Sequence, residues 1–153
     1  KFLGLKVLIV SKSFITVKDQ YPEYRSCDLN EVLKQADIIS FHCKPNNDGS
    51  SVITSKELNL MKKNAFIINT ARGNLVSEVD LCEAIKANKI GGAAIDVFET
   101  EPATNNVLFG LENVLLTPHI AASTSEAQII VAEMVANQFV EYFLNNRVIN
   151  EVT

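Results

Sequence analysis

The sequence predicts an α/β fold, a doubly wound parallel sheet in three α/β/α layers, and three observations predict it. Five short apolar runs rich in β-branched residues recur along the chain, at 6–11, 37–43, 65–70, 92–97 and 113–117. They are near-continuously apolar rather than alternating, the pattern of parallel strands covered on both faces. Helix-start chemistry lies between them, and strand–helix alternation of this kind closes into a parallel sheet through right-handed crossovers.

The elements follow in chain order. The first run, KVLIVS, ends in Ser11, Lys12 and Ser13, and Asp28 with Glu31 then opens a helix. An acceptor at the cap satisfies free N–H groups, and an acid three residues on suits the positive end of the helix dipole. The second run, DIISFHC, ends in His42 and Cys43, and Thr54 with Glu57 opens the next helix. The third, AFIINT, runs into Thr70, Ala71, Arg72 and Gly73, followed by Ser77 with Asp80. The fourth carries Asp96 and leads to Glu99, Thr100, Glu101 and Pro102; the fifth leads to Thr117, Pro118, His119, Ile120, Ala121 and Ala122. Ser123 and Glu126 read as a further capping box. After it, Ala127, Ile130, Val131, Met134, Val135, Phe139, Tyr142 and Phe143 form one helical stripe. That stripe covers about 22 residues, or ~33 Å, long for a helix that merely covers a small sheet. It predicts a domain over 1–123 and, over 124–153, a long helix and extended tail leading away from it. Residues 44–51 and 99–112 are the longest predicted loops.

The arithmetic agrees with one domain and removes several function classes. A chain of 153 residues, 47% apolar, buries roughly 70% of its unfolded surface. Fourteen basic and eighteen acidic residues give a net charge of −4 and are interspersed, so no basic run offers a nucleic acid or an anionic membrane a surface. Three cysteines, Cys27, Cys43 and Cys82, are an odd number in apolar or helical surroundings. They read as buried thiols of a reducing, cytoplasmic compartment. The most apolar segment, 129–144, is interrupted by Glu133, Asn137, Gln138 and Glu141, which rules it out as a membrane span. No His, Cys and acid cluster has metal-ligand spacing, so no metal is expected. The six glycines include no Gly-x-Gly pair, which excludes an intact glycine-rich phosphate loop within these residues.

In an open α/β sheet, ligands bind beyond the carboxyl ends of the strands. Those ends carry both histidines, an arginine and a proline-flanked acid. Singly, Arg72 reads as a surface residue, Glu101 as a solvated loop acid and His119 as a hydrogen-bonded structural histidine. Together they suit one task. Arg offers a planar fork to a carboxylate, His exchanges a proton with a carbonyl or hydroxyl oxygen near neutral pH, and Glu fixes the imidazole and favours its protonated form. That set serves reversible reduction of a 2-keto acid by a nicotinamide held at the sheet edge.

The segments INTARGNLV at 68–76, GGAAIDVFETEP at 91–102 and NVLLTPHIAAST at 113–124 resemble the D-isomer-specific 2-hydroxyacid dehydrogenase family. TEPATNN, STSEAQ and VINEV are most like its phosphoglycerate-oxidising branch. The resemblance covers essentially the whole chain. It implies a Rossmann-like dinucleotide-binding domain from its second strand onward, with the first strand, glycine loop and substrate domain outside this sequence. It further implies an NAD- or NADP-dependent oxidoreductase acting on a small 2-hydroxy or 2-keto acid, 3-phosphoglycerate foremost, in a homodimer. A glyoxylate or hydroxypyruvate reductase, or a non-catalytic dinucleotide-sensing corepressor, are the other readings. By the resemblance, Arg72 matches the carboxylate-binding arginine, His119 the acid/base histidine and Glu101 the acid paired with it. Asp96 matches the residue that contacts the carboxamide, Thr70, Ala71, Ala121 and Ala122 line the nicotinamide, and His42 and Cys43 pack around the adenosine.

Two departures from the family pattern concern the cofactor. His42-Cys43-Lys44-Pro45 replaces the usual His-x-Pro. Ser11, followed by Lys12, stands where an acid normally bonds the ribose 2′-hydroxyl. A carboxylate there repels a 2′-phosphate, whereas a hydroxyl and a lysine accept one. This implies tolerance of, or preference for, NADP(H); the plainer reading is an exposed lysine in a turn. Cys43 and Cys82 read as packing residues, since neither has a base placed near it.

Overall fold

A computed structural model describes residues 4–151, and the chain divides between Pro118 and His119 into two units. In the first unit, β1 (Leu8–Ile9) leads through a four-residue helix α1 (Phe14–Val17) to β2 (Arg25–Ser26), and helix α2 (Leu29–Gln35) to β3 (Ile38–Phe41). Helix α3 (Ser55–Leu58) precedes β4 (Phe66–Asn69), helix α4 (Glu78–Lys86) precedes β5 (Gly92–Ile95), and β6 (Val114–Leu116) follows a long loop. All pairings are parallel. β1 pairs with β2, and β3–β4–β5–β6 form a second sheet in sequence order. The fold is Rossmann-like, parallel strands with helical crossovers, as the sequence predicts.

Helix starts fall where the sequence puts acceptors. Asp28 accepts from Glu31 N at 2.8 Å and Ser77 from Asp80 N at 3.3 Å. Thr54 donates to the Glu57 carboxylate through both its N–H, at 3.0 Å, and its hydroxyl, at 2.6 Å. Burial raises the Glu57 pKa, but the two Thr54 hydrogen bonds outweigh it and hold the carboxyl below its ordinary value.

Burial is heavier on one face of β3 and β4, while β5 is buried along most of its length. Ile39 and Phe41 of β3, Ile67 of β4 and Ala93 and Ile95 of β5 are buried with Val32 and Leu33 of α2, Leu58 of α3 and Leu81 and Ile85 of α4. Leu8 and Cys27 pack against the same core and tie the β1–β2 pair to it. On the other face Ile38, Phe66 and Leu115 stand exposed, beside an open depression of 480 Å³ on the β3–β6 sheet.

Three local readings are corrected. Strand β2 is unexpected from its two polar residues; its pairing with β1 supplies the order that propensity does not. Cys43 is exposed and Cys27 half-exposed, leaving only Cys82 buried. The β3–β4 register ends at Phe41 and Asn69, so the chain has left the sheet by Cys43.

The second unit holds helix α5 (Ser125–Asn145). Its cap is Thr124, whose hydroxyl accepts from Ala127 N at 3.2 Å, one residue after the Ser123 expected from the sequence. Asn146 ends the helix at φ +53°, its N–H donating to Glu141 O, and Arg147 pairs with the Glu141 carboxylate at 3.2 Å. No residue of α5 is buried. Residues 148–151 carry no regular structure, and the last two residues of the expected tail lie outside the described ones. No helix among the described residues is long and apolar enough to cross a membrane.

Candidate active site

The carboxyl ends of β4 and β5 are joined by backbone and by buried polar side chains. Asn69, at the end of β4, is 1% exposed. Its amide donates to Arg72 O at 2.9 Å and its carbonyl oxygen accepts from Ala71 N at 3.2 Å. One buried side chain thereby fixes the turn that presents Arg72. Asp96 N donates to Asn69 O at 2.9 Å, linking the ends of the two strands. The Asp96 carboxylate, 3% exposed, accepts the Thr117 hydroxyl at 2.5 Å.

Gly73 brings the Arg72 loop onto the Glu101 loop. A Cβ at residue 73 would lie 1.9 Å from both the carbonyl carbon and oxygen of Phe98 and 2.5 Å from Glu99 N. Only glycine permits that approach, because the opposing atoms are backbone and cannot swing aside. Phe98 N donates to the Glu101 carboxylate at 3.0 Å, so Glu101 closes its own loop. The Glu101–Pro102 peptide is cis.

A second tie lies one residue further on. Glu78, in the first turn of α4, accepts Glu99 N at 2.8 Å, while Glu99 accepts Glu78 N at 3.2 Å. Its other oxygen accepts the Asn106 amide at 2.7 Å. Along the opposite side of the Arg72 loop, Val52 N and Ile53 N both donate to Leu75 O, and Ser77 N donates to Ile53 O.

The sites expected from sequence are thus distributed as follows. Thr70, Ala71, Arg72, Asp96 and Glu101 share the edge beyond β4 and β5, with Arg72 and Glu101 exposed and Asp96 buried. The Arg72 guanidinium donates to Ala71 O at 2.6 Å, folded on its own loop. His42 and Cys43 lie exposed beyond β3, with His42 Nε2 2.9 Å from the Ser40 hydroxyl. Ser11 and Lys12 lie beyond β1. In the second unit, His119 is exposed with φ +53°, a left-handed conformation uncommon in residues other than glycine. Ala121 and Ala122 are exposed, and Ala122 O accepts the Gln128 amide at 2.9 Å.

Near β2, burial first and Glu31 second push the Cys27 thiol above its ordinary pKa, so it is protonated at neutral pH and a poor nucleophile. Among the described residues no three His, Cys, Asp or Glu side chains gather as metal ligands do.

Asn69, Glu78 and Glu99 are the residues that sequence reasoning passes over. Asn69 had a signal, an amide closing an otherwise apolar strand. The Glu78–Glu99 tie joins residues far apart in the chain and leaves no local pattern.

Residues 1–121 match the family model described as D-isomer specific 2-hydroxyacid dehydrogenase, NAD binding domain. The chain is 39% identical over 142 residues to a glyoxylate reductase of Thermococcus litoralis, covering 93% of this chain and 43% of that protein. It is 48% identical over 111 residues to a D-3-phosphoglycerate dehydrogenase of Methanocaldococcus jannaschii, covering 72% of this chain and 21% of that protein. Among solved structures, an acyclic imino acid reductase in complex with NADPH and D-Arg superposes with a TM-score of 0.83 at 34% identity, over 97% of this chain and 46% of that one. The chain spans less than half the length of each of these proteins. Sequence, strand order and family match converge: this chain belongs to the D-isomer-specific 2-hydroxyacid dehydrogenases and comprises NAD-binding-domain sequence of that family.

Proposed function

We propose that the whole protein oxidises 3-phosphoglycerate to 3-phosphohydroxypyruvate, reversibly, in the cytoplasm, at the head of serine synthesis. The observation that carries this reading is the Gly73–Phe98 contact, which holds an arginine loop against a glutamate loop at the edge where an α/β sheet binds its ligand. That edge fits a nicotinamide cofactor. A carboxylate accepts up to about four hydrogen bonds, so buried Asp96 can serve both Thr117 and a carboxamide, beside the Thr70–Ala71 backbone. When bound, the cofactor takes up or returns a hydride at its nicotinamide ring.

The chain's residues would do the rest. Arg72, swung from Ala71 O, clamps the substrate carboxylate with two parallel N–H donors. His119 takes the hydroxyl proton during oxidation and returns it during reduction. Its left-handed backbone supports a functional role, since strained residues cluster at sites where geometry is imposed. The resemblance to the family makes Glu101 the acid paired with that histidine, a positioning role that would stabilise its imidazolium.

A second reading, a glyoxylate reductase, is favoured by the longer stretch of identity to the Thermococcus litoralis protein. The full-length protein, assayed with 3-phosphohydroxypyruvate, hydroxypyruvate and glyoxylate, separates the two. The first substrate should show the highest kcat/KM, and a higher value for either of the others would replace the first reading with the second. Cofactor binding without turnover of any of the three would leave a dinucleotide sensor. His119→Ala should lower kcat by about 100-fold or more while cofactor affinity is kept; survival within tenfold would remove His119 from this role. We also propose a homodimer for the complete protein, which sedimentation would test.

A further inference from the structure

NAD(H) and NADP(H) differ only in a phosphate ester on the 2′-oxygen of the adenosine ribose, far from the nicotinamide. In the doubly wound strand order 3-2-1-4-5-6, that ribose lies beyond strand 2, where an acid selects NAD and a cation accommodates the phosphate. The observed order identifies that strand here. β3–β4–β5–β6 run in sequence as strands 4 onward do, and the separate parallel pair β1–β2 corresponds to strands 2 and 3. We propose that the turn beyond β1, Ser11–Lys12–Ser13, reads the 2′-phosphate and makes NADP(H) the preferred cofactor, an inference that rests on the oxidoreductase reading above.

The turn carries no acid, and the first one downstream is Asp19. The carboxylates that follow β2 are engaged elsewhere: Asp28 caps α2, and Glu31 takes Arg25 at 2.5 Å and Gln35 at 3.0 Å. Lys12 is exposed, and an ammonium is a strong phosphate donor. The Ser11 and Ser13 hydroxyl oxygens lie 3.0 Å apart, and Ser11 Oγ also accepts Phe14 N at 3.2 Å. Whichever hydroxyl donates within the pair, the other keeps a proton for an outside acceptor. A phosphate oxygen, an acceptor only, matches that proton and the ammonium together. Local hydrogen bonds hold the end of the turn: Thr16 donates to Ser13 O through its N–H at 3.2 Å and its hydroxyl at 2.8 Å.

The test is direct binding to the full-length protein, by calorimetry with NADPH and NADH and with 2′,5′-ADP and 5′-AMP, which lack the nicotinamide. NADPH should bind at least about tenfold tighter than NADH, with the margin shrinking as salt rises. 2′,5′-ADP should exceed 5′-AMP in the same sense. Lys12→Ala should weaken NADPH by about tenfold and leave NADH unchanged, and Ser11→Asp should reverse the preference. Equal or tighter binding of NADH overturns the inference alone, as does a Lys12→Ala variant that weakens both cofactors equally. Binding of neither dinucleotide overturns the oxidoreductase reading and this inference with it.

Discussion

The strand ends of the two sheets are built by different means. Beyond β4 and β5, backbone lies against backbone at Gly73 and Phe98, buried Asn69 shapes the Arg72 turn, and Glu78 and Glu99 exchange hydrogen bonds. Beyond β1, a short exposed turn is held by hydroxyl groups. The contrast teaches where geometry is bought by packing and where chemistry is set by side chains alone. Groups that must meet a reacting atom need placement within a fraction of an ångström, and under the proposed function the locked end would supply it. A turn that distinguishes a phosphate from a hydroxyl needs only the right charge and donors, so its residues can change without disturbing the fold.

The hardest test of the lock is Gly73→Ala. The added methyl meets main-chain atoms at 1.9 Å, so the Arg72 and Glu101 loops must separate. We expect a loss of about 3 kcal/mol or more, read as a fall in Tm of roughly 6–12 °C, with kcat/KM falling in parallel. A Tm unchanged within about 2 °C would mean the loops are not locked, and the comparison would collapse.

Glu78→Ala is the next test. It removes the acceptor of Glu99 N and of the Asn106 amide and an acid from the first turn of α4, at a cost of about 1–2 kcal/mol. Because Glu101 lies two residues beyond Glu99, the affected loop is the one that carries it. Glu78→Gln keeps an acceptor oxygen for Glu99 N and should recover part of the loss in both urea unfolding and kcat/KM. Full stability in Glu78→Ala would show that the Gly73 contact holds the edge unaided.

The sequence was most legible where order is local. The apolar runs and the caps at Asp28, Thr54 and Ser77 depend on neighbours within four residues, and all appear in place. The reading of Thr124 as Ser123 is a one-residue slip among adjacent hydroxyl residues, each able to cap. Long-range facts were less legible. β2 owes its existence to β1, and the Glu78–Glu99 tie to a loop closing back on α4. Cys43 looked buried because it continues an apolar run, but hydrogen bonding to β4 ends before it. At the candidate site, residue types at strand ends pointed to Arg72, Asp96 and Glu101, which the fold gathers at one edge, yet Asn69, which holds the Arg72 turn, passed as one more strand residue.

A smaller effect tests whether the lock has a titratable brace. Thr54 and Glu57 cap α3 immediately after Ile53, whose N–H and carbonyl bond Leu75 O and Ser77 N beside the Arg72 loop. The Glu57 pKa is lowered in the folded state. Its contribution is therefore complete above the unfolded carboxylate value of about 4.3 and lost as pH falls through the lower folded value. Thr54→Ala should cost about 1 kcal/mol near neutral pH, and Glu57→Gln should flatten the acid limb of the stability curve. An acid limb identical in Glu57→Gln and the parent would remove the brace from the account.

The smallest expected effect separates the two ends most cleanly. Lys12 is exposed, and replacing a surface side chain of that kind changes stability by no more than about 0.5 kcal/mol. Lys12→Ala should therefore unfold in urea at the parental midpoint, with the parental slope, while its affinity for a 2′-phosphate falls. At the locked end the opposite coupling holds, because Gly73→Ala and Glu78→Ala cannot alter the site without loosening the fold. A Lys12→Ala midpoint shifted by as much as that of Glu78→Ala would make the β1 turn a structural element, and the division between a packed reaction end and a side-chain-set recognition end would no longer stand.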